Sequence, residues 1–204
     1  MNKMSEIISV DIETSSDTIE GSLISIGLVN YKTKEYFYKD VKFRHGLFVK
    51  PKSMMVNKIS FQQLDDGSLI TLDELDKELC NWLKPSSIMM GRGVSYFDSK
   101  FIEKDLPKSV RLFSRRIFDL TGAVFLLSTT FDISFNKLRG DMLKYAQQKT
   151  DNYLNNKLDI HDMFRHHALW DAFSNCFALD YLRTFRIERQ GIVYNGSQEN
   201  VDNG

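Results

Sequence analysis

Residues 7–13 of the chain are Ile7-Ile8-Ser9-Val10-Asp11-Ile12-Glu13. Apart from its two acids, this run has the apolar composition of a buried strand. Side chains alternate between the two faces of a strand, so Asp11 and Glu13 should share one face. Neighbouring carboxylates repel each other, and burying them without a partner is costly. A divalent cation between them is the simplest remedy, and the stretch therefore predicts a first strand that carries metal ligands.

Two more strands are predicted directly after the first. The first strand should cover Glu6–Glu13, and the next two Leu23–Tyr31 and Glu35–Phe43. The linkers between them are short and contain Gly21-Ser22 and Lys32-Thr33-Lys34. Linkers of this kind favour tight turns, so we expect an antiparallel meander.

The rest of the chain alternates between helical and strand patterns. Thr71–Leu83 is predicted to be a helix, because Thr71 and Glu74 have capping-box spacing ahead of leucines at helical intervals. The remaining predicted elements are a strand at Ile88–Met90, a helix from Asp98, a strand at Ile117–Leu120 that runs into a helix, and helices over Lys137–Gln148 and His166–Phe185. This order predicts an α/β fold with a mixed central sheet flanked by helices. We expect one domain over residues 1–189 and a polar, disordered tail over residues 190–204.

Composition limits the compartment and the partners. The chain has 204 residues and a hydrophobic content of 42%, with 27 basic and 27 acidic residues. Cys80 and Cys176 lie in apolar helical patterns and are interpreted as buried thiols, which suits a reducing compartment. No stretch approaches the ~20 apolar residues of a membrane span, and the first residues do not resemble a signal peptide. We therefore expect a cytoplasmic protein without a membrane partner.

Basic residues are distributed unevenly. The segment Lys42–Ser60 contains several bases and no acid, Lys104–Arg116 adds more bases, and Arg183, Arg186 and Arg189 follow near the end. Each run alone is typical of a solvated surface. Beside an acidic metal site, the runs together favour a track for the phosphate backbone of a nucleic acid.

Two further acids, Asp98 and Asp171, and one histidine, His166, could act together with Asp11 and Glu13 in metal-dependent hydrolysis. Asp98 follows a short strand and Gly91-Arg92-Gly93, where open α/β folds place their sites, while His166 and Asp171 lie at the start of the last helix. Carboxylates that hold cations and a histidine that accepts a proton from water are what two-metal phosphodiester hydrolysis requires. Oxygen ligands select hard ions, so Mg²⁺ or Mn²⁺ is expected.

Three motifs now resemble those of a known family. They are Asp11-Ile12-Glu13-Thr14, Phe97-Asp98 and His166-His167-Ala168-Leu169-Trp170-Asp171-Ala172. These are similar to the exonuclease motifs of the DEDD superfamily, in the histidine-bearing branch that includes proofreading subunits, oligoribonuclease, the ribonuclease that trims transfer RNA ends, and phage exonucleases. Smaller matches around Phe48–Pro51 and Phe118–Leu120 extend the resemblance over most of the chain.

The resemblance implies a ribonuclease H-like fold and 3′-to-5′ removal of nucleoside 5′-monophosphates from single-stranded DNA or RNA. It implies two Mg²⁺ or Mn²⁺ ions at a site with His166 as the general base, and the ligands Asp11, Glu13, Asp98 and Asp171. Positions expected to contact the terminal nucleotides are Ile12, Thr14, Tyr96 and Phe97. Many relatives are homodimers, which leaves a homodimer open, although no feature of this sequence indicates an interface.

Several alternatives remain open. Many relatives have an asparagine where this chain has Gly93 or Val94, so how the terminal nucleotide is held is not predicted. His167 is an alternative base. A histidine metal site formed by His161, His166 and His167 is a further alternative. The alternative function is a nucleic-acid-binding module that keeps the fold without catalysis. Every active-site position is filled, which argues against that alternative.

Overall fold

The computed structural model describes residues 5–44, 46–64, 66–158 and 166–189. The predicted tail over residues 190–204 and His161 lie outside the described residues. Five strands form one sheet: β1 (Ile7–Thr14), β2 (Leu23–Asn30), β3 (Tyr36–Asp40), β4 (Ser87–Gly91) and β5 (Phe113–Asp119). The α-helices are α1 (Pro51–Asn57), α2 (Phe61–Leu64), α3 (Leu72–Trp82), α4 (Asp98–Asp105), α5 (Leu120–Thr130), α6 (Phe135–Lys157) and α7 (Ala168–Arg189).

The strands lie in the order β3-β2-β1-β4-β5. The pairs β1–β2 and β2–β3 are antiparallel, whereas β4 runs parallel to both β1 and β5. The first three strands therefore form the predicted meander. Helices α1–α3 precede β4, α4 lies in the crossover from β4 to β5, and α5, α6 and α7 follow β5. The predicted mixed sheet in an α/β fold is confirmed.

The alternation of side chains along β1 divides the core into two halves. Ile8, Val10 and Ile12 pack on one face with residues of α3 and α4, including Leu79 and Phe101. The opposite face is covered by α7, which is itself backed by α5 and α6 through a second apolar cluster. Asp11 and Glu13 belong to this second face, because they alternate with the core residues of β1.

A glycine in β2 determines how closely α7 approaches the sheet. Gly27 pairs with Asp11 across the two strands, so both positions point to the same face. A Cβ atom on Gly27 would lie 2.4 Å from the carbonyl carbon and oxygen of Ala168, the first residue of α7. From the same face, the Ser9 hydroxyl donates to the Ala172 carbonyl oxygen at 2.7 Å. The start of α7 is thereby fixed directly over the acids of β1.

Several elements differ from the sequence-based prediction. The capping box of α3 is present, with Thr71 accepting from the Glu74 N–H and the Glu74 carboxylate accepting from the Thr71 N–H. By contrast, α1, α2 and a 3-10 turn at Ser109–Leu112 were not predicted. Helix α6 extends well beyond Lys137–Gln148, because its buried positions recur at helical spacing as far as Leu154. Strand β5 begins at Phe113 rather than Ile117, and it is an edge strand whose arginines face solvent.

Both cysteines are free thiols. Cys176 is fully buried in α7, and this burial raises the pKa of its thiol to about 12. Cys80 is half-buried, with its Sγ atom 3.5 Å from the hydroxyl of Ser109. The prediction of a buried thiol is therefore confirmed for Cys176, whereas Cys80 remains partly exposed because it lies at the edge of the buried face of α3.

None of the helices among the described residues is long and apolar enough to cross a lipid bilayer.

Candidate active site

The site lies where β1 extends beyond its pairing with β4. Parallel pairing with β4 covers Ile7–Ser9, while β1 continues to Thr14. Beyond the paired segment, the Ile12 N–H donates to Asp98 Oδ1 at 3.1 Å. Asp98 is the first residue of α4, so this bond holds the start of α4 against β1 between the positions of Asp11 and Glu13. The second predicted motif is thereby brought to the first.

The start of α7 brings the third motif to the same place. Asp171 lies in the first turn of α7, and its Oδ2 atom accepts from the His166 N–H at 2.7 Å. His166 has φ 67°, a left-handed conformation that is uncommon for a residue with a side chain. Potential ligand atoms of Glu13, His166 and Asp171 all lie within 4.8 Å of one another. The predicted histidine and two of the predicted acids therefore face one small volume.

The acids form one electrostatically coupled cluster. Burial raises the pKa of Asp11 well above its usual value, and the charges of Asp171, Asp98 and Glu13 raise it further. Burial, followed by the charges of Asp171 and Asp98, raises the pKa of Glu13 to about 9. Burial also raises the pKa of Asp98 to about 7, although the hydrogen bond from the Ile12 N–H opposes this. A cluster of this kind is stabilised by a cation, and its oxygen donors suit a hard divalent ion.

The two adjacent histidines are placed differently. His166 is exposed, whereas His167 is half-buried and stacks on Tyr38 of β3 with ring centroids 4.7 Å apart. Burial lowers the pKa of His167. The ring of His166 thus faces the acids and solvent, and the ring of His167 packs against the sheet.

Arg92 also belongs to the candidate site, although the sequence did not single it out. Its Nη2 atom donates to Asp171 Oδ1 at 2.5 Å, and its Nε atom donates to Asn175 Oδ1 at 2.6 Å. The charge of Arg92 also acts to lower the pKa values of Asp11 and Asp98. A signal existed in the sequence, since Arg92 follows a strand end and Asn175 lies one helical turn after Asp171.

Asp119 was missed as well, and its charge acts to raise the pKa of Asp98. Its carboxylate accepts from the Gly93 N–H at 3.2 Å, the Ser95 hydroxyl at 2.8 Å and the Thr121 N–H at 2.9 Å. Burial acts to raise the pKa of Asp119, but these hydrogen bonds outweigh it and hold the pKa below its usual value. Asp119 fixes the loop between β4 and α4 and caps the start of α5.

The residues expected to contact substrate occupy different environments. The Ile12 side chain lies in the core on the far face of β1, and Thr14 is buried with its hydroxyl donating to the Ser16 carbonyl oxygen. Phe97 is half-buried against Phe101, with ring centroids 5.2 Å apart. Tyr96 is 68% exposed on the loop before α4. Among these positions, the ring of Tyr96 is the most accessible to a ligand.

Some of the predicted basic track serves the fold. Lys50 forms an ion pair with Asp17 at 2.5 Å. Lys104 donates to the carbonyl oxygens of Ile19 and Gly21 at 2.9 Å and 2.7 Å, which ties α4 to the loop between β1 and β2. These lysines hold the segments that surround the acids.

No protein-family model matches the sequence, and no curated protein matches it at a significant level. Solved structures share its fold. Escherichia coli exonuclease I in a zinc-bound complex with single-stranded DNA aligns with a TM-score of 0.64 at 13% identity, covering 92% of this chain and 42% of that chain. The same enzyme with a dT13 oligonucleotide aligns with a TM-score of 0.62 at 12% identity, covering 92% and 43%.

Cell-death related nuclease 4 also aligns, with a TM-score of 0.56 at 13% identity, covering 92% of this chain and 64% of that chain. The chain therefore has the ribonuclease H-like fold of these nucleases, as the sequence motifs predicted. It spans about two fifths of the length of exonuclease I.

Proposed function

We propose that this chain is a metal-dependent 3′–5′ exonuclease of the histidine-bearing DEDD branch, acting on single-stranded DNA or RNA. The observation that carries the proposal is the convergence of Asp11, Glu13, Asp98, His166 and Asp171 at one end of β1. They come from the start, the middle and the last described helix of the chain, yet they meet on a fold shared with exonuclease I, which was solved in complex with single-stranded DNA. A set of coupled, largely buried acids beside an exposed histidine suits hydrolysis better than structural support.

The donor set fits a pair of divalent cations. Asp11, Glu13, Asp98 and Asp171 would hold Mg²⁺ or Mn²⁺, because their oxygen donors suit hard ions. A nearby positive charge would also stabilise the carboxylate forms of Asp11, Glu13 and Asp98, whose pKa values are raised. When bound, such ions would neutralise charge on the scissile phosphate and favour deprotonation of the attacking water.

His166 is suited to be the general base. Its exposed ring can reach a water molecule beside the acids, where a ring nitrogen would accept the proton. The carboxylate of Glu13 lies within the same small volume and would stabilise the imidazolium that results. The bond from the His166 N–H to Asp171 keeps the ring close to the acids while the charge changes.

The surrounding surface would bind the substrate strand. The exposed ring of Tyr96, beside the start of α4, is placed to stack on a terminal base, with Phe97 behind it. Basic residues near the site would contact the phosphates, and Ile12 and Thr14 would act through the main chain of β1. A homodimer and a cytoplasmic location remain predictions.

The decisive experiment uses matched DNA and RNA oligonucleotides with Mg²⁺ or Mn²⁺. A 5′-labelled single strand should give a ladder of shortened products, while a closed circle should resist. Asp11→Asn should remove nearly all activity without unfolding the protein, and Asp73→Asn, on the exposed surface of α3, should not. Cleavage of the circle would indicate an endonuclease. Tight binding of the strand without cleavage would instead favour the inactive binding module.

A further inference from the structure

The guanidinium of Arg92 contacts one member of the acidic cluster and a neighbouring residue of α7. It bridges two residues of one face of α7, Asp171 at 2.5 Å and Asn175 at 2.6 Å. The Arg92 side chain is 24% exposed, whereas that of Asp171 is 8% exposed. The arginine is thus the more accessible partner of the pair.

The chain around Arg92 is built to hold it there. A Cβ atom on the preceding Gly91 would lie 2.8 Å from the Val10 carbonyl oxygen and 3.5 Å from Asn175 Nδ2. Gly91 therefore lets the end of β4 pass between β1 and α7, so that Arg92 emerges beside the acids. Asn175 is fully buried, and the amide oxygen that accepts from Arg92 fixes the orientation of the guanidinium.

Both oxygens of Asp171 are engaged in this arrangement. Oδ2 accepts from the His166 N–H, and Oδ1 accepts from Arg92. A divalent cation that approached Oδ1 would meet a positive charge already bound to that oxygen. Two cations on one carboxylate oxygen repel each other strongly in a partly buried site.

We propose that Arg92 is the resident counterion of the acidic cluster: it neutralises Asp171 in the metal-free protein and competes with a divalent cation for Asp171 Oδ1. Arg92 is then a positioning residue that sets the metal affinity. This inference rests on the proposed function, because it takes Asp171 to be a metal ligand. Binding of the ion requires the guanidinium to leave Oδ1, after which Arg92 is held by Asn175 alone.

The test measures Mn²⁺ binding to the full chain by calorimetry in the absence of nucleic acid. Arg92→Gln should lower the dissociation constant by about tenfold, because one charge no longer opposes the ion. The same variant should lower the melting temperature of the metal-free protein and increase the shift caused by Mn²⁺. Arg92→Lys keeps the charge and should bind Mn²⁺ much as the original chain does. Arg115→Gln, which removes an exposed arginine of β5, is the matched control.

The outcomes separate the inference from the proposed function. An unchanged or weaker Mn²⁺ affinity in Arg92→Gln overturns the inference, even if its melting temperature falls, because a purely structural tie would give that result. A complete lack of Mn²⁺ binding by the original chain overturns the proposed function and the inference with it.

A second measurement needs no variant that might fail to fold. The side-chain Nη–H signals of Arg92 in the NMR spectrum of the original chain should shift or broaden on Mg²⁺ addition, because the bond from Nη2 to Asp171 is lost, whereas the Nε–H keeps its bond to Asn175. Arg92 Nη–H signals that stay unchanged at saturating Mg²⁺ overturn the inference.

Discussion

At the scale of single residues, the neighbouring histidines make a sharp comparison. His166 is exposed beside Glu13 and Asp171, whereas the His167 ring stacks on Tyr38. We predict that His166→Ala lowers the turnover number by about two to four orders of magnitude, the usual contribution of a positioned base. Steady-state kinetics on a labelled oligonucleotide would measure this, and the Michaelis constant should change little.

His167→Ala is the control for that comparison. It should reduce thermal stability through lost packing on Tyr38 and leave most of the turnover in place. A larger loss of turnover in His167→Ala than in His166→Ala would show that the base has been assigned to the wrong histidine.

Glu13 provides a prediction about protons. Its pKa of about 9 means that it is mostly protonated at pH 7 in the metal-free protein. A metal ion requires the carboxylate form, so binding should release protons. Calorimetry of Mn²⁺ binding in two buffers with different ionisation enthalpies should give different apparent enthalpies, and Glu13→Gln should reduce the difference. Identical enthalpies in both buffers would contradict a protonated cluster.

At the scale of the elements, Gly27 controls the contact between β2 and α7. Gly27→Ala should lower the free energy of unfolding by about 3 kcal/mol, at the upper end for overpacking, because the added Cβ would meet the main chain of Ala168. Urea denaturation would measure the change. Gly122→Ala in α5 is the matched control, because a Cβ atom there meets nothing within 4 Å. Its free energy of unfolding should rise by ~0.5–1 kcal/mol, since alanine is the better helix former. Equal effects of the two changes would contradict the close approach.

The elements that the sequence predicted well are those with a strong local signal. The α3 capping box and the alternation along β1 depend on residues a few positions apart, and both are present. Helix α1 was not predicted because it is short and buries few side chains, among them Met54. Its sequence therefore shows little hydrophobic periodicity. The start of β5 escaped because Arg115 and Arg116 are exposed on an edge strand, where apolar alternation is not required.

The same distinction applies to the site. The acids and His166 were identified because their spacing forms motifs within short segments. Arg92 was not, since its bond to Asp171 joins residues 79 positions apart and requires the β4 end and α7 to meet. Pairings between distant elements depend on packing that no local pattern encodes.

At the scale of the whole molecule, we predict that the acidic cluster makes the free energy of unfolding depend on pH and on divalent ions together. The pKa of Asp98 is raised to about 7 and that of Glu13 to about 9. A carboxyl group whose pKa is raised by folding stabilises the folded state most when the pH is below its pKa in the unfolded chain. That stabilisation is lost as the pH rises through its pKa in the folded protein. The metal-free protein should therefore lose stability between about pH 5 and pH 9.

Thermal melts across this pH range would measure the effect. Millimolar Mn²⁺ should raise the melting temperature most at the high end, because it binds the ionised cluster. Asp11→Asn should flatten the pH dependence of the metal-free protein and reduce the response to Mn²⁺. A metal-free melting temperature that rises steadily from pH 5 to pH 9 would show that the acids are not repelling one another.

The order in which the acids occur along the chain has a consequence for biosynthesis. Translation delivers Asp11 and Glu13 with the first strand, Asp98 midway, and His166 with Asp171 only at the last described helix. A nascent polypeptide or a prematurely terminated product that stops before α7 exposes the first acids but cannot close the pocket. Under the proposed function, hydrolytic competence thus requires α7, the last helix among the described residues, and a product that ends before it should fold in part but stay inactive.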